Sequence, residues 1–298
     1  MTAHRQILPG TTYLVSRRCA DRRFLLRPSA LVNAVIEYVL AAKAQEYGIL
    51  LHAYCVLSNH LHLVLTDPTG NLPPFMRDVG STVAKALNAA HGKWEWFWAP
   101  GSYSAVALQR PDDVLDKMAY TLANPVKAGL VRRGAEWPGL WSAPARIGAG
   151  AKEVKRPAHY FREDGDTPPS APLELVCPAG FASGEELRNR LTEALTEQED
   201  RAARALAEAG RSFLGARSVM AQSPFAKPPP LEPRRGLRPR VASRDKWKRL
   251  EAIGRLKTFL VEYREAWEAF CAGARATVFP EGTYWIRVTY GVACAASS

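Results

Sequence analysis

The chain has 298 residues, 47% of them hydrophobic, so it is long enough for a packed core and for two domains. Its net charge of +11 and its pI of about 9.6 favour a polyanionic partner, most commonly nucleic acid. Nothing in the sequence resembles a membrane span or the apolar core of a signal peptide. Its five cysteines lack zinc-finger or Cys-x-x-Cys spacing, which predicts reduced thiols in a cytosol.

The first half of the chain predicts alternating strands and helices. Apolar alternation indicates strands, and apolar residues at helical spacing indicate helices. In chain order we predict a strand over 11–17, a helix over 28–47 with Ser29 as its cap and Gly48 at its end, strands over 49–57 and 60–66, a helix over 75–90, a strand over 102–109 and a helix from Asp112. This order predicts an α+β fold, a ferredoxin-like antiparallel sheet with helices on one face, followed by a mostly helical C-terminal region. Residues 60–66 would form a central strand of that sheet.

Two histidines stand out on that central strand. His60 and His62 flank Leu61, and side chains two apart on a strand point to the same face. The two imidazoles would stand about 7 Å apart along the backbone, close enough to hold one divalent metal ion. They form only part of a ligand shell, and a pair of core or surface histidines is the competing interpretation.

The last predicted helix of this half carries two further polar groups. Tyr120 and Asn124 are four residues apart, so a helix would place them on one face. A metal ion, a phenol and an amide oxygen that face each other would make a site able to attack a phosphodiester. The competing interpretations are core packing for Tyr120 and, because Asn124 precedes a proline, an N-cap for a short helix over 125–130.

Two motifs, in this order and at this separation, resemble those of the REP-associated tyrosine transposases. These proteins form a single-tyrosine branch of the HUH endonuclease superfamily. The first motif is YCVLSNHLHLVL at 54–65, and the second is YTLANPVKAGLV at 120–131. The resemblance covers roughly the first 145 residues. It implies that Tyr120 is the nucleophile and that His60, His62 and Asn124 bind the metal ion.

The residue types suit that chemistry. A divalent ion such as Mg²⁺ or Mn²⁺ polarises a scissile phosphate, and imidazoles with an amide oxygen suit it better than they suit structural zinc. A phenol with a pKa near 10 is a weak nucleophile at neutral pH and needs such activation. The resemblance implies a 5′-phosphotyrosine and a free 3′-hydroxyl, a reaction that needs no nucleotide cofactor. The sequence contains no Walker-type phosphate loop, in agreement with this.

An aromatic cluster and a second tyrosine lie between the two motifs. The cluster is WEWFW at 94–98, and its members, Trp96 among them, could stack on bases or pack in the core. Tyr103 is a rival nucleophile by its position in the sequence.

The rest of the chain divides by composition. We predict a catalytic domain over 1–147, a Gly- and Pro-rich linker over 148–184, a helical accessory region over 185–222, a Pro- and Arg-rich basic linker over 223–244, and a C-terminal element over 245–298 with a helix over 247–270 and a strand over 279–288. The basic stretch could follow a phosphate backbone, or it could be a solvated linker and helix face. Our candidate nucleic-acid contacts are Arg17, Arg18, Trp96, Arg234, Arg235, Arg238, Arg240, Arg244, Lys246 and Lys248.

Together these features predict a metal-dependent single-strand DNA endonuclease and strand transferase, a transposase acting on hairpin or repeat DNA. The expected partner is single-stranded or hairpin DNA, with neither a membrane nor a nucleotide cofactor, in the cytoplasm at the nucleoid. Monomer and homodimer both stay open. The alternatives are a catalytically silent, domesticated protein that reads hairpins, and an RNA-binding protein without a metal.

Overall fold

The computed structural model describes residues 4–101, 103–158, 160–165, 167–229 and 239–296. Its strands are β1 Thr11–Arg18, β2 Leu50–Leu57, β3 His60–Asp67, β4 Ser104–Leu108, β5 Lys152–Lys155, β6 Ser170–Leu173 and β7 Val241–Ala242. Its helices are α1 Ala30–Tyr47, α2 Leu72–His91, α3 Pro111–Leu122, α4 Asn124–Lys127, α5 Gly184–Glu208, α6 Ala216–Ala221, α7 Lys246–Cys271 and α8 Trp285–Tyr290. None of the helices in these ranges is long and apolar enough to cross a membrane.

A five-stranded sheet organises the first half of the chain, in the order β2-β3-β1-β4-β7. β3 pairs antiparallel with β1 and β2, and β4 pairs antiparallel with β1, whereas β7 runs parallel to β4. This confirms the predicted α+β class and the interior position of the strand that carries the two histidines. His62 lies opposite Ser16 of β1 and Cys55 of β2.

The two faces of the sheet carry different helices. Arg17 lies opposite the fully buried Leu61, and its guanidinium donates to the carbonyl of Met76 in α2, so α2 lies on that face with α1 packed against it. His60 and His62 point to the opposite face because side chains alternate along a strand. There α3 contacts β2 and β3. The prediction of helices on one face describes α1 and α2, while α3 lies across the other face.

Capping groups explain where the first two helices begin. Ser29 accepts a hydrogen bond from the Val32 amide at 3.2 Å, and Gly48 ends α1 in the left-handed conformation at φ 64°, as the sequence predicts. α2 starts at Leu72, earlier than predicted, although two prolines follow. The buried Asp67 carboxylate accepts hydrogen bonds from four backbone amides, those of residues 69–72. Prolines in the first turn cost no intrahelical hydrogen bond.

The segment predicted as a linker, 148–184, contains regular structure. β5 and β6 form an antiparallel pair that packs against α1 and buries Val154, Ala171 and Leu173. Both strands are short and one contains a proline, so their alternation is hidden among turn residues. The following helix, α5, buries Leu187, Leu191 and Leu195 and packs on α3.

The C-terminal unit differs from the predicted helix plus strand. α7 matches the predicted helix, but the expected strand over 279–288 is replaced by a turn at Gly282, with φ 83°, and by the helix α8. The apolar residues of α8 alternate as in a strand, which is why the sequence predicted one, but only Ile286 of α8 is buried. Phe259, Tyr263, Phe270 and Phe279 form a second small core with Ile286. β7 forms inside the predicted basic linker 223–244 and joins this unit to the sheet.

Candidate active site

β3 and α3 bring His60, His62 and Tyr120 into contact. The imidazole centroids of His60 and His62 are 4.9 Å apart, and the His62 centroid is 5.9 Å from that of the Tyr120 ring, both in edge-on geometry. Two of these residues come from a strand and one from a helix that reaches the sheet far later in the sequence. The predicted histidine pair and the predicted tyrosine therefore share one location.

Asn59 orients His60. The His60 Nδ1 atom is 2.6 Å from the Asn59 Oδ1 atom, while the Asn59 Nδ2 atom donates to the Arg22 carbonyl at 3.2 Å. Because an amide oxygen can only accept, the proton lies on Nδ1 and the Nε2 lone pair is left available. The loop before α1 holds this turn in place, since Cys19 donates to the Asn59 carbonyl and Leu26 to that of Ser58.

Both histidines are held in the neutral form. Burial, together with the charge of Arg18, lowers the pKa of His60 to about 4. Burial lowers the pKa of His62 well below its ordinary value, and the neighbouring His60 ring and the positive charges of Arg18 and Lys127 further oppose protonation of His62. The buried Nδ1 atom of His62 has no hydrogen-bond partner within the described part of the chain. Neutral imidazoles with unshared lone pairs are the form that binds metal ions.

Asn124 lies one helical turn after Tyr120 and is buried. Its Nδ2 atom donates back to α3, to the Tyr120 carbonyl at 2.9 Å and to the Thr121 carbonyl at 3.4 Å. The side chain does not cap the next helix, because α4 begins at Asn124 itself and has no side-chain cap. The capping interpretation is therefore wrong, and the amide oxygen accepts no hydrogen bond from any residue that the structure describes. Over the ranges that the structure describes, no three His, Cys, Asp or Glu side chains cluster as a metal site, so the imidazoles alone form a partial shell.

A basic pocket adjoins Tyr120. Tyr120 lines a cavity of about 500 Å³ between α3, α4 and α5, whose polar lining has three cations, one carboxylate and one amide: Lys127, Arg201, Arg211, Asp116 and Gln198. The Lys127 Nζ atom is 4.2 Å from the centroid of the Tyr120 ring and donates to the Gln198 Oε1 atom at 2.7 Å. Partial burial of its ammonium lowers the pKa of Lys127 to about 8.

The rival nucleophile lies elsewhere. Ser104 pairs with Ser16, which pairs with His62, so the neighbouring Tyr103 belongs to the opposite face of the sheet. Burial raises the pKa of Tyr103 to about 12, which opposes ionisation to a nucleophilic phenolate.

The aromatic cluster is divided. Trp94 and Trp96 are 96% and 80% exposed, whereas Phe97 and Trp98 are buried. The first pair is free to stack on a base, and the second pair packs in the core.

The predicted nucleic-acid contacts occupy several surfaces. Arg18 is exposed opposite His60 on the side of the histidines, whereas Arg17 lies on the other face. Arg244, Lys246 and Lys248 are exposed around the start of α7, and Arg240 donates to the His4 carbonyl. The predicted contacts Arg234, Arg235 and Arg238 lie outside the described residues.

Sequence reasoning missed Asn59, Lys127 and Gln198. The position of Asn59 next to a histidine, and that of Lys127 seven residues after Tyr120, were the available signals. Gln198 gave none, because nothing in the sequence indicates that α5 packs beside Tyr120.

Solved structures that are similar to the chain include the following two. One is the structure of a REP-associated tyrosine transposase bound to a REP hairpin, at 19% identity and a TM-score of 0.42, over 55% of this chain and 99% of that one. The other is a candidate transposase from Deinococcus radiodurans R1, at 21% identity and a TM-score of 0.28, over 36% of this chain and 85% of that one. No protein-family model and no curated protein sequence matches the chain.

Proposed function

We propose that the chain is a metal-dependent single-strand DNA endonuclease and strand transferase that cleaves through Tyr120. The observation that carries the proposal is the contact between Tyr120 and two neutral histidines across the interface of β3 and α3. A phenol beside two neutral imidazoles suits a nucleophile next to a metal-bound phosphate.

His60 and His62 would hold the ion through ring nitrogens, and the amide oxygen of Asn124 would complete the protein part of the shell. The orphaned Nδ1 atom of His62 and the hydrogen bond from His60 to Asn59 support this assignment. The bound ion, Mg²⁺ or Mn²⁺, would polarise the scissile phosphate. A shell of two imidazoles and one amide oxygen would leave coordination positions open for a phosphate oxygen and water.

In the reaction, the Tyr120 Oη atom forms a bond to phosphorus and the bond from phosphorus to the 3′-oxygen breaks. The phenolic proton is lost to solvent or a base, and the leaving 3′-oxygen takes up a proton as a hydroxyl. The product is a 5′-phosphotyrosine, so the reverse attack by a 3′-hydroxyl rejoins a strand without a nucleotide cofactor.

The basic pocket beside Tyr120 would guide the strand. Lys127, Arg201 and Arg211 are cations within reach of a phosphate backbone that passes the tyrosine ring. Such a backbone contact is independent of sequence. We expect the target to be a hairpin or repeat, as the resemblance of the two motifs implies.

A covalent-adduct gel tests the proposal. Single-stranded hairpin DNA is labelled on either side of the cut and incubated with the full chain, with and without Mn²⁺. The label on the 3′ side of the cut should migrate with the protein, and the label on the 5′ side should be released with a free 3′-hydroxyl. The adduct should require Mn²⁺, disappear after proteolysis and be absent with Tyr120→Phe.

Tyr290→Phe is the matched control, since Tyr290 is exposed and lies in the C-terminal unit. It should form the adduct at the normal rate. An adduct that persists in Tyr120→Phe would assign the nucleophile to another residue, with Tyr103 the next to test. Hairpin binding without cleavage by the unaltered protein, over a library of hairpins, would favour the catalytically silent alternative.

A further inference from the structure

A second pocket lies between the N-terminal strand region and the C-terminal unit. Its volume is about 470 Å³, within the range of ligand sites. Arg17 and Tyr103 line it, and both belong to the face of the sheet that is opposite the two histidines. The pocket is therefore separate from the candidate active site.

The pocket is built by two parts of the chain that bind each other. The Ile7 amide donates to the Gly282 carbonyl at 2.9 Å, and the Gln6 side chain donates to the Glu281 carbonyl. A Cβ atom at Gly282 would lie 2.6 Å from the Gln6 side chain, so the close approach requires glycine. The ring of His4 stacks on that of Tyr263 at 3.9 Å. These contacts hold the C-terminal aromatic residues over the end of β1.

The lining combines cations with aromatic rings. The cations are Arg5, Arg17 and Arg77, and the large rings are Tyr103, Tyr263, Tyr284 and Trp285. None of the described residues that line it is acidic. Trp285 is 57% exposed, so one aromatic side chain remains accessible at the rim.

Arg17 is the group in this pocket that lacks the partner that burial usually demands. The neighbouring Tyr103 is buried, and the Arg5 guanidinium lies 4.0 Å from the centroid of its ring. Arg17 is half-buried, and burial lowers its pKa. It donates to a backbone carbonyl and lies over the Trp98 ring, but forms no ion pair with any carboxylate among the described residues. A half-buried cation without a counter-ion favours an anionic ligand.

We propose that this pocket binds one nucleotide, with the base against its aromatic residues and the phosphate against Arg17. Stacking on aromatic side chains holds bases with little regard to sequence, and arginine suits phosphate oxygens. A free mononucleotide and an unpaired nucleotide of a DNA strand share this chemistry. The proposal goes beyond cleavage by Tyr120 and does not depend on it.

Equilibrium binding of nucleotide ligands to the full chain tests this proposal. The buffer contains a metal chelator, which prevents cleavage of the strand. The ligands are a short labelled thymidylate strand, the same strand with abasic sugars, thymidine 5′-monophosphate and inorganic phosphate. Trp285→Ala should weaken thymidylate binding about tenfold and leave abasic binding unchanged. Arg17→Gln should weaken both strands and reduce the slope of log affinity against log salt by about 0.7. Val288→Ala, on the same helix and 58% exposed, should change neither.

A strand carrying 5-iododeoxyuridine locates the base by photocrosslinking. The crosslinked peptide should contain Tyr263, Tyr284 or Trp285. If thymidine monophosphate competes for this crosslink, the pocket takes free nucleotides as well as strands; if it does not, the nucleotide belongs to a strand. Normal affinity in both variants, crosslinks confined to Trp94 and Trp96, or equal competition by inorganic phosphate would each overturn the proposal.

Discussion

Replacing Asn59 by alanine should weaken metal binding at the candidate active site. The variant loses the 2.6 Å hydrogen bond that keeps the proton of His60 on Nδ1. A hydrogen bond of this kind contributes about 1 kcal/mol net, and release of the ring to rotate and to change tautomer adds about as much again. The sum, about 2 kcal/mol, corresponds to about a thirtyfold higher Kd for the metal ion.

Titration calorimetry with Mn²⁺ measures this effect, and the adduct assay at rising Mn²⁺ shows whether it limits catalysis. Saturating Mn²⁺ should restore the rate of Asn59→Ala to within a few-fold of normal, because the residue acts through His60 and touches no substrate. Asn59→Asp keeps an acceptor and should retain the affinity. The reasoning fails if Asn59→Ala binds Mn²⁺ as tightly as the unaltered chain, or if its rate stays low at saturation while its thermal unfolding is normal.

Three further predictions follow from other buried or charged groups. Asp67→Ala leaves four backbone amides at the start of α2 without their acceptor and should lower the free energy of unfolding by about 3 kcal/mol in urea titrations. Asp164→Ala removes an exposed carboxylate and should leave the free energy of unfolding almost unchanged. His52 is buried and its pKa is lowered to about 4, so only the unfolded chain takes up its proton between pH 6.5 and 4, and stability should fall as the pH drops through that window. Through His52, the free energy of unfolding should be about 2 kcal/mol lower at pH 5 than at pH 7. In His52→Gln the free energy of unfolding should therefore depend less on pH. An equal pH dependence in that variant would refute the assignment. Lys127→Met should slow adduct formation about tenfold or more at unchanged Mn²⁺ affinity, because the Lys127 ammonium lies beside the Tyr120 ring. The control is Lys117→Met, which should have a smaller effect, since the Lys117 ammonium lies 5.8 Å from the Tyr120 centroid and pairs with Asp116. Equal rates in the two variants would contradict a role for Lys127.

The parts of the fold that follow from local patterns were predictable. The alternation around His60 and His62 predicted their strand and common face, and Ser29 and Gly48 predicted the limits of α1. The contact between Tyr120 and the histidines could also be expected from the order of the elements, because α3 follows β4 and packs across the sheet.

The remaining parts depend on contacts between distant segments. β5 and β6 are too short for a periodic signal and owe their existence to packing on α1. α8 alternates like a strand, yet its backbone is helical after the turn at Gly282. The role of Asn59 depends on a loop around Arg22, and that of Lys127 depends on Gln198 of α5. Neither neighbour can be recognised from the sequence around the residue it contacts.

The pairing of β7 with β4 affects how the chain can be divided into fragments. Val241 and Ala242 cover the end of the outer edge of β4, at Ala107 and Leu108, and the Arg244 amide donates to the buried Asp113 at the start of α3. A fragment that ends before this strand would present the backbone of β4 to solvent and leave the Asp113 carboxylate short of a donor. Exposed edges of this kind recruit strands from other chains. An N-terminal fragment containing both motifs should therefore self-associate, and an expression boundary placed after residue 147 would separate β4 from β7 and α3 from α5.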